Sequence, residues 1–448
     1  MKISKYNFTT WNQSEELLLF NTFVGTKSLI KVSNKTAKIV DQVLNHNLPI
    51  KALPPSVYQE LLNSGYIIPD ERDENLVIKD IFLDYVCDSR LELTIIPTEQ
   101  CNFRCTYCYE TFPDHIMNDN SQESIINFVK KNLHKYKSLH ISWFGGEPLL
   151  AINTIMHLSE KFKKICKYYK KPYTASMSTN GFALDVPTLK KLIKCNIFYY
   201  QITLDGTKEI HDKQRIHKTL KISTYDVIIN NLIQIKNTIS SPLLRITIRS
   251  NFNKYNLFHI EEYLKHFSNY FGDDNRFQFY IRPIMNLGGE RINELEDHLF
   301  ESTSFQQLYY KLMMSEYKLN LIYDDFLGPT NGVCVAGKKN YFVITPDCSI
   351  YKCTCNFQGC PEGKIGELSK EGNMIIKKDV ANQWLCNLNT CKKDCFYAPI
   401  CLRDSCPAKR ILNKSENQIY CPHEKQNLSE ILQVLDSYKT IFRRIGIC

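Results

Sequence analysis

The sequence predicts an α/β fold whose centre is a partial (β/α)6 TIM-like barrel, with an N-terminal winged-helix-like module and a C-terminal cysteine-rich domain. Three observations support this fold. Six strand-like runs alternate with amphipathic helical stretches between about Leu91 and Pro283, polar motifs follow the first four runs, and most of the 18 cysteines lie from Cys334 onwards. Alternating strands and helices form a parallel sheet, and ligands bind such sheets at the C-terminal ends of the strands.

The six candidate strands define the barrel domain, which we expect to span residues 88–300. In order along the chain they are Leu91–Ile96, Leu139–Phe144, Tyr173–Ser178, Phe198–Leu204, Leu243–Ser250 and Arg276–Ile281. Helical stretches separate them, for example Ser121–Leu133, Val186–Ile193 and Tyr225–Ile235.

Two further domains are expected on either side of the barrel, in a chain of 448 residues that is long enough for two or three domains. Residues 1–85 place strand-like runs before helical stretches, which is typical of a winged-helix-like unit. The runs are Tyr6–Thr10, Glu16–Phe20 and Ser28–Val32, and the helical stretches are Lys35–Leu44 and Ser56–Ser64. Residues 301–448 begin with a predicted helix, Ser304–Leu319, and end with another, Leu428–Ile441.

Composition limits the class of protein. No stretch of about 18 uncharged apolar residues occurs, and Met1–Asn12 lacks the apolar run of a secretory signal, so we expect a cytoplasmic protein without a membrane span. In a reducing cytoplasm, clustered cysteines bind metal more often than they form disulfides. The net charge of +9 is mild for this length and is compatible with an acidic peptide partner, with nucleic acid or with a solvated Lys-rich surface, and of these nucleic acid is the least expected.

The first cysteine motif follows the first barrel strand and reads Cys101-x3-Cys105-x2-Cys108. Three thiolates at this spacing can bind three corners of a 4Fe–4S cube and leave one iron without a protein ligand. A reactive cluster needs such an open iron, because a cluster held by four cysteines cannot readily chelate a substrate. Three buried cysteines, or a zinc site that lacks its fourth ligand, are the alternatives.

With Tyr107 as the aromatic residue before the third cysteine, the motif resembles that of the radical S-adenosylmethionine (SAM) superfamily. The resemblance implies that SAM chelates the open iron and that an electron from the reduced cluster cleaves SAM to a 5′-deoxyadenosyl radical. It makes Cys101, Cys105 and Cys108 the catalytic and metal-binding residues.

Polar residues near the ends of the next strands resemble the SAM-binding motifs of the same superfamily. With the aromatic residue of the triad, the candidate SAM-binding residues are Tyr107, Gly145, Gly146, Glu147, Ser178, Asn180, Thr203 and Arg215. The resemblance implies that Glu147 binds the methionyl amino group and that Thr203 contacts methionyl or ribose oxygens. Arg215 is a candidate for binding the methionyl carboxylate, and a structural ion pair is its alternative role.

The C-terminal cysteines resemble those of the SPASM extension of peptide-modifying radical SAM enzymes, which carries two auxiliary 4Fe–4S clusters. The resemblance assigns Cys334, Cys353 and Cys406 to the first auxiliary cluster, and Cys391, Cys395, Cys401 and Cys421 to the second. The fourth ligand of the first cluster stays open between Cys348, Cys355, Cys360 and a substrate thiolate. Three 4Fe–4S clusters are therefore expected, with zinc as the alternative for the C-terminal region.

These features predict an oxidoreductase-type maturase of a ribosomally synthesised precursor peptide. Residues Phe20–Gly25 and Leu61–Ile68 resemble the leader-peptide-binding module of such maturases, which implies that residues 1–85 bind the leader of the precursor. We expect a thioether crosslink between a cysteine sulfur and a carbon, and an electron donor such as flavodoxin or ferredoxin. Carbon–carbon crosslinking and formylglycine formation by an anaerobic sulfatase-maturing enzyme are the enzymatic alternatives, and a zinc-dependent binding protein is the alternative outside enzymes.

Overall fold

The computed structural model describes residues 1–287, 291–299, 317–320, 327–358, 360–391, 394–412, 421–438 and 442–445. The predicted helix Ser304–Leu319 lies almost entirely outside these residues. Across the described segments, no helix combines the length and the apolar character needed to cross a membrane.

The N-terminal residues form a small α/β unit, and its predicted winged-helix-like character stays a prediction. Its elements are β1 (Lys2–Ile3), β2 (Asn7–Trp11), β3 (Leu17–Asn21), β4 (Ile30–Val32), α1 (Asn34–Leu44), α2 (Pro55–Asn63), β5 (Ile67–Ile68) and α3 (Glu74–Val86). Strands β2, β3 and β4 form an antiparallel sheet in which every residue of β3 is buried. Leu17 and Leu19 pack with α1 and α2, whereas Leu18 and Phe20 pack with residues from the C-terminal part of the chain.

The central domain contains the six predicted parallel strands, and strands that follow one another along the chain are neighbours in the sheet. The strands are β6 (Arg90–Ile95), β7 (Phe103–Cys105), β8 (Ser138–Trp143), β9 (Tyr173–Thr179), β10 (Ile197–Thr203), β11 (Arg215–His217), β12 (Arg245–Phe252) and β13 (Phe277–Pro283), of which β7 and β11 form a separate two-stranded sheet. The helices are α4 (Asp119–Asn132), α5 (Ile152–Tyr169), α6 (Val186–Lys194), α7 (Lys208–Gln214), α8 (Thr224–Thr238) and α9 (Ile260–Phe271).

Local sequence explains where several of these helices begin. The side chains of Asn118, Asp185 and Ser223 accept hydrogen bonds from backbone N–H groups in the first turns of α4, α6 and α8. Such caps satisfy donors that a helix cannot satisfy itself. Helices and strands alternate from β8 onwards, so each connection returns to the same edge and the C-terminal ends of the strands collect the connecting loops.

The large sheet continues beyond β6 into the cysteine-rich region. Its further strands are β14 (Tyr341–Ile344), β15 (Ser349–Tyr351), β16 (Lys364–Leu368) and β17 (Met374–Ile376). Strand β14 pairs in parallel with β6, and β15, β16 and β17 follow as an antiparallel extension of the same ten-stranded sheet. The barrel strands and the cysteine-rich region therefore share one sheet.

The end of the chain packs against its beginning. The last described elements are α10 (Lys378–Trp384), α11 (Ala398–Cys401), α12 (Pro407–Leu412), α13 (His423–Gln426), α14 (Leu428–Tyr438) and β18 (Arg443–Ile445). Strand β18 pairs in parallel with β4, and Leu432 and Leu435 of α14 pack with Leu18 and Phe20. The N-terminal unit is thus joined to the C-terminal residues by a shared sheet and a shared core, and the boundaries proposed near residues 85 and 300 stay predictions.

Candidate active site

The cysteines of the triad surround one cavity at the C-terminal ends of the barrel strands. Cys101 follows β6, and Cys105 lies opposite Arg215 in the two-stranded sheet of β7 and β11. All three thiols, including that of Cys108, line a cavity of about 210 Å³. Burial raises the pKa of the Cys101 thiol to about 12, and the charge of Glu147 adds to this effect. In the described part of the chain, no three His, Cys, Asp or Glu side chains could hold a single metal ion.

Gly145 and Gly146 bring the loop after β8 against the loop that follows β6 and leads into the cysteine triad, residues 96–102, here called the triad loop. A Cβ atom on Gly145 would lie 2.4 Å from the carbonyl oxygen of Thr98, and one on Gly146 would lie 2.2 Å from that of Gln100. Gly145 also has a φ of 130°, a conformation that side chains disfavour. The N–H of Glu147 donates to the Gln100 carbonyl at 2.8 Å. Both glycines line the cavity, and the close approach that requires them is to the triad loop itself.

The Glu147 carboxylate is fully buried and accepts three hydrogen bonds from the protein. The donors are the Thr179 hydroxyl at 2.7 Å, the Asn180 N–H at 2.7 Å and the Leu149 N–H at 2.9 Å. Burial raises the pKa of Glu147, whereas these donors act in the opposite direction. The carboxylate therefore ties the loop after β8 to the end of β9. Its role in binding a methionyl amino group stays a prediction.

A buried hydrogen-bond network centres on the Tyr107 hydroxyl. The hydroxyl donates to the Asp205 carboxylate, and it accepts from Arg215 at 2.9 Å and from the Asn251 side-chain amide at 3.2 Å. Asp205 also accepts from the Asn251 backbone N–H at 2.8 Å, and its own N–H donates to His211 Nδ1 at 3.1 Å. Arg215 is thus fixed by structural contacts while still lining the cavity, so both of its predicted roles are compatible with its position.

The other predicted SAM contacts reach the same cavity. Ser178 and Asn180 line it from the end of β9, and Thr203 lines it from the end of β10. The Asn180 side-chain amide donates to the side-chain oxygen of Asn102 at 2.7 Å, which joins the end of β9 to the triad loop. The polar motifs that follow separate strands in the sequence therefore form one site.

Several polar residues of the cavity wall were missed by the sequence analysis. They are Tyr109, Glu110, Gln201, Arg249 and Asn251. Burial and the charge of Glu99 raise the pKa of Glu110 to about 8, and its Oε2 atom has no hydrogen-bond partner among the described residues. Strand alternation was a usable signal for Gln201, Arg249 and Asn251. Residues two apart near the C-terminal end of a strand share a face, and Gln201 lies two positions before Thr203.

The four cysteines assigned to the second auxiliary cluster come together. Burial raises the pKa of the Cys401 thiol to about 12, and nearby Cys395, Cys421 and Cys391 contribute in the same direction. Lys425 places its ammonium group 3.6 Å from the Cys421 sulfur and also lies near Cys395. Four thiols in one group have the donor chemistry of a 4Fe–4S site.

The three cysteines assigned to the first auxiliary cluster also form a group. Cys334 lies near Cys406 and Cys355, and Cys353 lies near Cys355 and Cys334. Cys348 lies elsewhere, because its thiol donates to the Ser121 carbonyl of α4 at 3.7 Å. This position argues against the predicted ligand role of Cys348.

The chain is similar in sequence or in structure to several known proteins. The model of the Radical SAM superfamily matches residues 95–266. A cysteine-type anaerobic sulfatase-maturating enzyme of Clostridium novyi (strain NT) is 26% identical over 379 residues, which cover 77% of this chain and 97% of that protein. Native anSMEcpe with bound AdoMet and Cp18Cys peptide has a TM-score of 0.57 at 20% identity, over 78% of this chain and 97% of that one. Streptococcus suis SuiB bound to precursor peptide SuiA has a TM-score of 0.44 at 15% identity, over 92% and 94% of the two chains.

A parallel barrel with a cysteine triad at the C-terminal end of its first strand defines a radical SAM domain, and the family match places this domain in the centre of the chain. The prediction of a radical SAM enzyme is thereby confirmed. The protein is related in sequence to an anaerobic sulfatase-maturating enzyme along most of its length.

Proposed function

We propose that this enzyme binds SAM in the cavity beside the triad and modifies a ribosomally synthesised peptide, forming a thioether between a cysteine sulfur and a carbon. The observation that carries the proposal is the convergence of the triad thiols with Ser178, Asn180, Thr203 and Arg215 on one cavity. A reduced 4Fe–4S cluster and SAM, when bound there, supply a 5′-deoxyadenosyl radical that abstracts a hydrogen atom from the peptide.

The residues of the cavity have separable proposed roles. Cys101, Cys105 and Cys108 hold the cluster, and Arg215 presents a guanidinium to the carboxylate of SAM. The hydroxyl of Thr203 and the amide of Asn180 provide polar contacts for the rest of SAM. Glu147, whose oxygens are used by protein donors, is proposed to position the end of β9.

The two groups of C-terminal cysteines are the observation that supports our proposal of two auxiliary clusters. Cys391, Cys395, Cys401 and Cys421 form one proposed ligand set, and Cys334, Cys353 and Cys406 belong to the other. An external electron donor of the flavodoxin or ferredoxin class completes the proposed system.

A peptide partner is proposed for the N-terminal sheet as well. Within the described residues β2 pairs with β3 alone, so its other edge has no strand partner, whereas β18 pairs with β4 at the opposite edge of the sheet. Strand β2 is mostly half-buried, and Gln433 of α14 donates to its Trp11 carbonyl at 3.1 Å. An unpaired strand edge accepts an extended peptide through backbone hydrogen bonds. We assign the leader of the precursor to the β2 edge.

A second candidate function is the oxidation of a sulfatase cysteine or serine to formylglycine. The similarity to the Clostridium novyi relative favours it, because that protein carries such a name and is covered to 97% of its length. Thr354, which follows Cys353, provides no carboxylate where that subfamily commonly has an aspartate. Carbon–carbon crosslinking is the remaining alternative product.

The first test is SAM cleavage by the anaerobically reconstituted enzyme with dithionite. We expect 5′-deoxyadenosine by mass spectrometry, its loss in Cys101→Ala, and its retention in the matched control Cys87→Ala, which removes an exposed thiol. Equal production by the two variants would contradict the assigned role of the triad.

The second test identifies the product. A cysteine-containing peptide encoded beside the gene should lose two hydrogen atoms and one free thiol when a thioether forms. A sulfatase-derived peptide should instead lose two hydrogen atoms and exchange sulfur for oxygen. Turnover of the sulfatase peptide alone would refute the thioether proposal and support the second candidate.

A further inference from the structure

The segment after β15 contains a cysteine whose position bears on the coordination of the first auxiliary cluster. Of the three candidates for its fourth protein ligand, Cys348 donates its thiol to the Ser121 carbonyl and packs in the barrel core. Cys360 directs its sulfur to the Glu362 carboxylate at 3.8 Å, within its own loop. Within the described residues, neither sulfur hydrogen-bonds another cysteine.

Cys355 differs from both. Its backbone N–H donates to the Cys353 sulfur at 3.4 Å, and the two thiols lie close to each other. Cys334 lies near both Cys355 and Cys406. The tight turn from Cys353 to Cys355 therefore delivers two sulfurs to the same place, and one backbone N–H already donates to a sulfur there, as donors around iron–sulfur sites commonly do.

The Cys355 sulfur also lies near the cavity that holds the triad. Its neighbours Tyr109 and Arg249 both line this cavity. Tyr109 follows Cys108 directly in the sequence.

We propose that Cys355 is the fourth protein ligand of a 4Fe–4S cluster held by Cys334, Cys353 and Cys406. This inference rests on the proposed function, which supplies the cluster, and it sharpens it. With four protein thiolates the cluster has no open iron, so the peptide sulfur is held in the cavity by the protein alone. The cluster then serves as an electron carrier next to the cavity.

The test uses the full chain with Cys101, Cys105 and Cys108 all replaced by alanine, so that only auxiliary clusters contribute signals. In this parent we expect about eight irons per chain, from two cubes of four. Addition of Cys355→Ala should lower the iron content by about one to four atoms, or give the EPR signal of a three-iron cluster. Cys360→Ala and Cys348→Ala are matched controls in the same region and should keep the iron content of the parent.

A ligand-binding measurement on the parent does not depend on whether the Cys355→Ala, Cys348→Ala or Cys360→Ala substitutions allow folding. Excess imidazole or a small thiolate should leave the EPR spectrum of the reduced parent unchanged, and should shift the spectrum of the Cys355→Ala variant. A shift in the parent would reveal an open iron and overturn the proposal. Loss of iron from Cys348→Ala or Cys360→Ala, with none from Cys355→Ala, would also overturn it.

These outcomes are separable from failure of the proposed function. Production of 5′-deoxyadenosine depends on the intact triad and is measured in the wild-type chain, whereas the iron and EPR measurements use the parent without the triad. A chain that cleaves SAM but modifies no peptide would refute the peptide proposal while leaving the iron and EPR results interpretable. A parent that binds no iron would refute the auxiliary clusters and the role of Cys355 together.

Discussion

The Tyr107 hydroxyl gives the sharpest test of how the cavity is built, because one atom joins three buried partners. In Tyr107→Phe the ring stays in place while Asp205 and Arg215 each lose a hydrogen bond, and the Asn251 amide loses a third. A hydrogen bond to a charged group contributes roughly 1.5–3 kcal/mol, and a buried group left without a partner costs a similar amount. Asp205 and Arg215 can partly compensate by pairing with each other, so we expect a loss of about 2–4 kcal/mol in the free energy of unfolding.

The same substitution should weaken SAM binding, because the Tyr107 hydroxyl no longer positions the Arg215 guanidinium that we propose contacts the SAM carboxylate. Loss of one charge-assisted hydrogen bond corresponds to an approximately tenfold higher Kd. Anaerobic denaturation and equilibrium dialysis with labelled SAM measure the two effects separately.

Tyr200→Phe is the matched control for this prediction. Tyr200 is buried and its hydroxyl makes one neutral hydrogen bond, to the Ile197 carbonyl at 2.8 Å. It should cost about 1 kcal/mol and leave the SAM affinity unchanged. If the two variants behave alike in stability and in SAM binding, the hydroxyl network does not hold Arg215.

Three further predictions concern other parts of the molecule. Gly146→Ala places a methyl group 2.2 Å from the Gln100 carbonyl, so the triad loop must move; iron analysis should show the loss of about four irons, and a full iron content would contradict this. Burial holds the pKa of His211 well below 6.5, so the unfolded chain binds a proton that the folded chain does not. The contribution of neutral His211 to the free energy of unfolding is therefore complete above about pH 6.5, and it falls by about 1.4 kcal/mol for each pH unit below that value. His211→Asn, which keeps an acceptor for the Asp205 N–H, should therefore approach the wild-type stability as the pH falls, and a constant difference would refute the reasoning. Leu432→Ala removes a fully buried contact between α14 and the N-terminal sheet and should cost about 2–5 kcal/mol in denaturation experiments, whereas a loss below about 1 kcal/mol would show that this contact is dispensable.

The barrel strands and several residues of the cavity were predictable because their signals are local. Hydrophobic runs marked all six strands to within three residues at each end, and the parallel order followed from the alternation with helices. Motifs placed after strands had to meet at one edge, which is why Ser178, Asn180 and Thr203 were found together with the triad. Arg249 and Asn251 were missed, since no motif marks them and only their alternation at the end of β12 brings them to the cavity.

Other features depend on contacts between distant parts of the chain. The binding of a methionyl amino group by Glu147 stays a prediction, and only the structure shows that its oxygens accept hydrogen bonds from Thr179 and Asn180, about thirty residues later in the sequence. The sequence left Cys348, Cys355, Cys360 and a substrate thiolate open as the fourth ligand of the first auxiliary cluster, and the packing of Cys348 on α4 and of Cys355 beside Cys353 is visible only in the tertiary structure.

The sequence by itself determined the class of chemistry, because three cysteines at fixed spacing on one loop carry their geometry within a few residues. It also determined the order of the barrel strands through local hydrophobic pattern. The tertiary structure decided which thiols and carboxylates face one another and how the two ends of the chain share a sheet. The parallel pairing of β18 with β4 joins residues more than 400 positions apart, and no local pattern encodes a contact of that range.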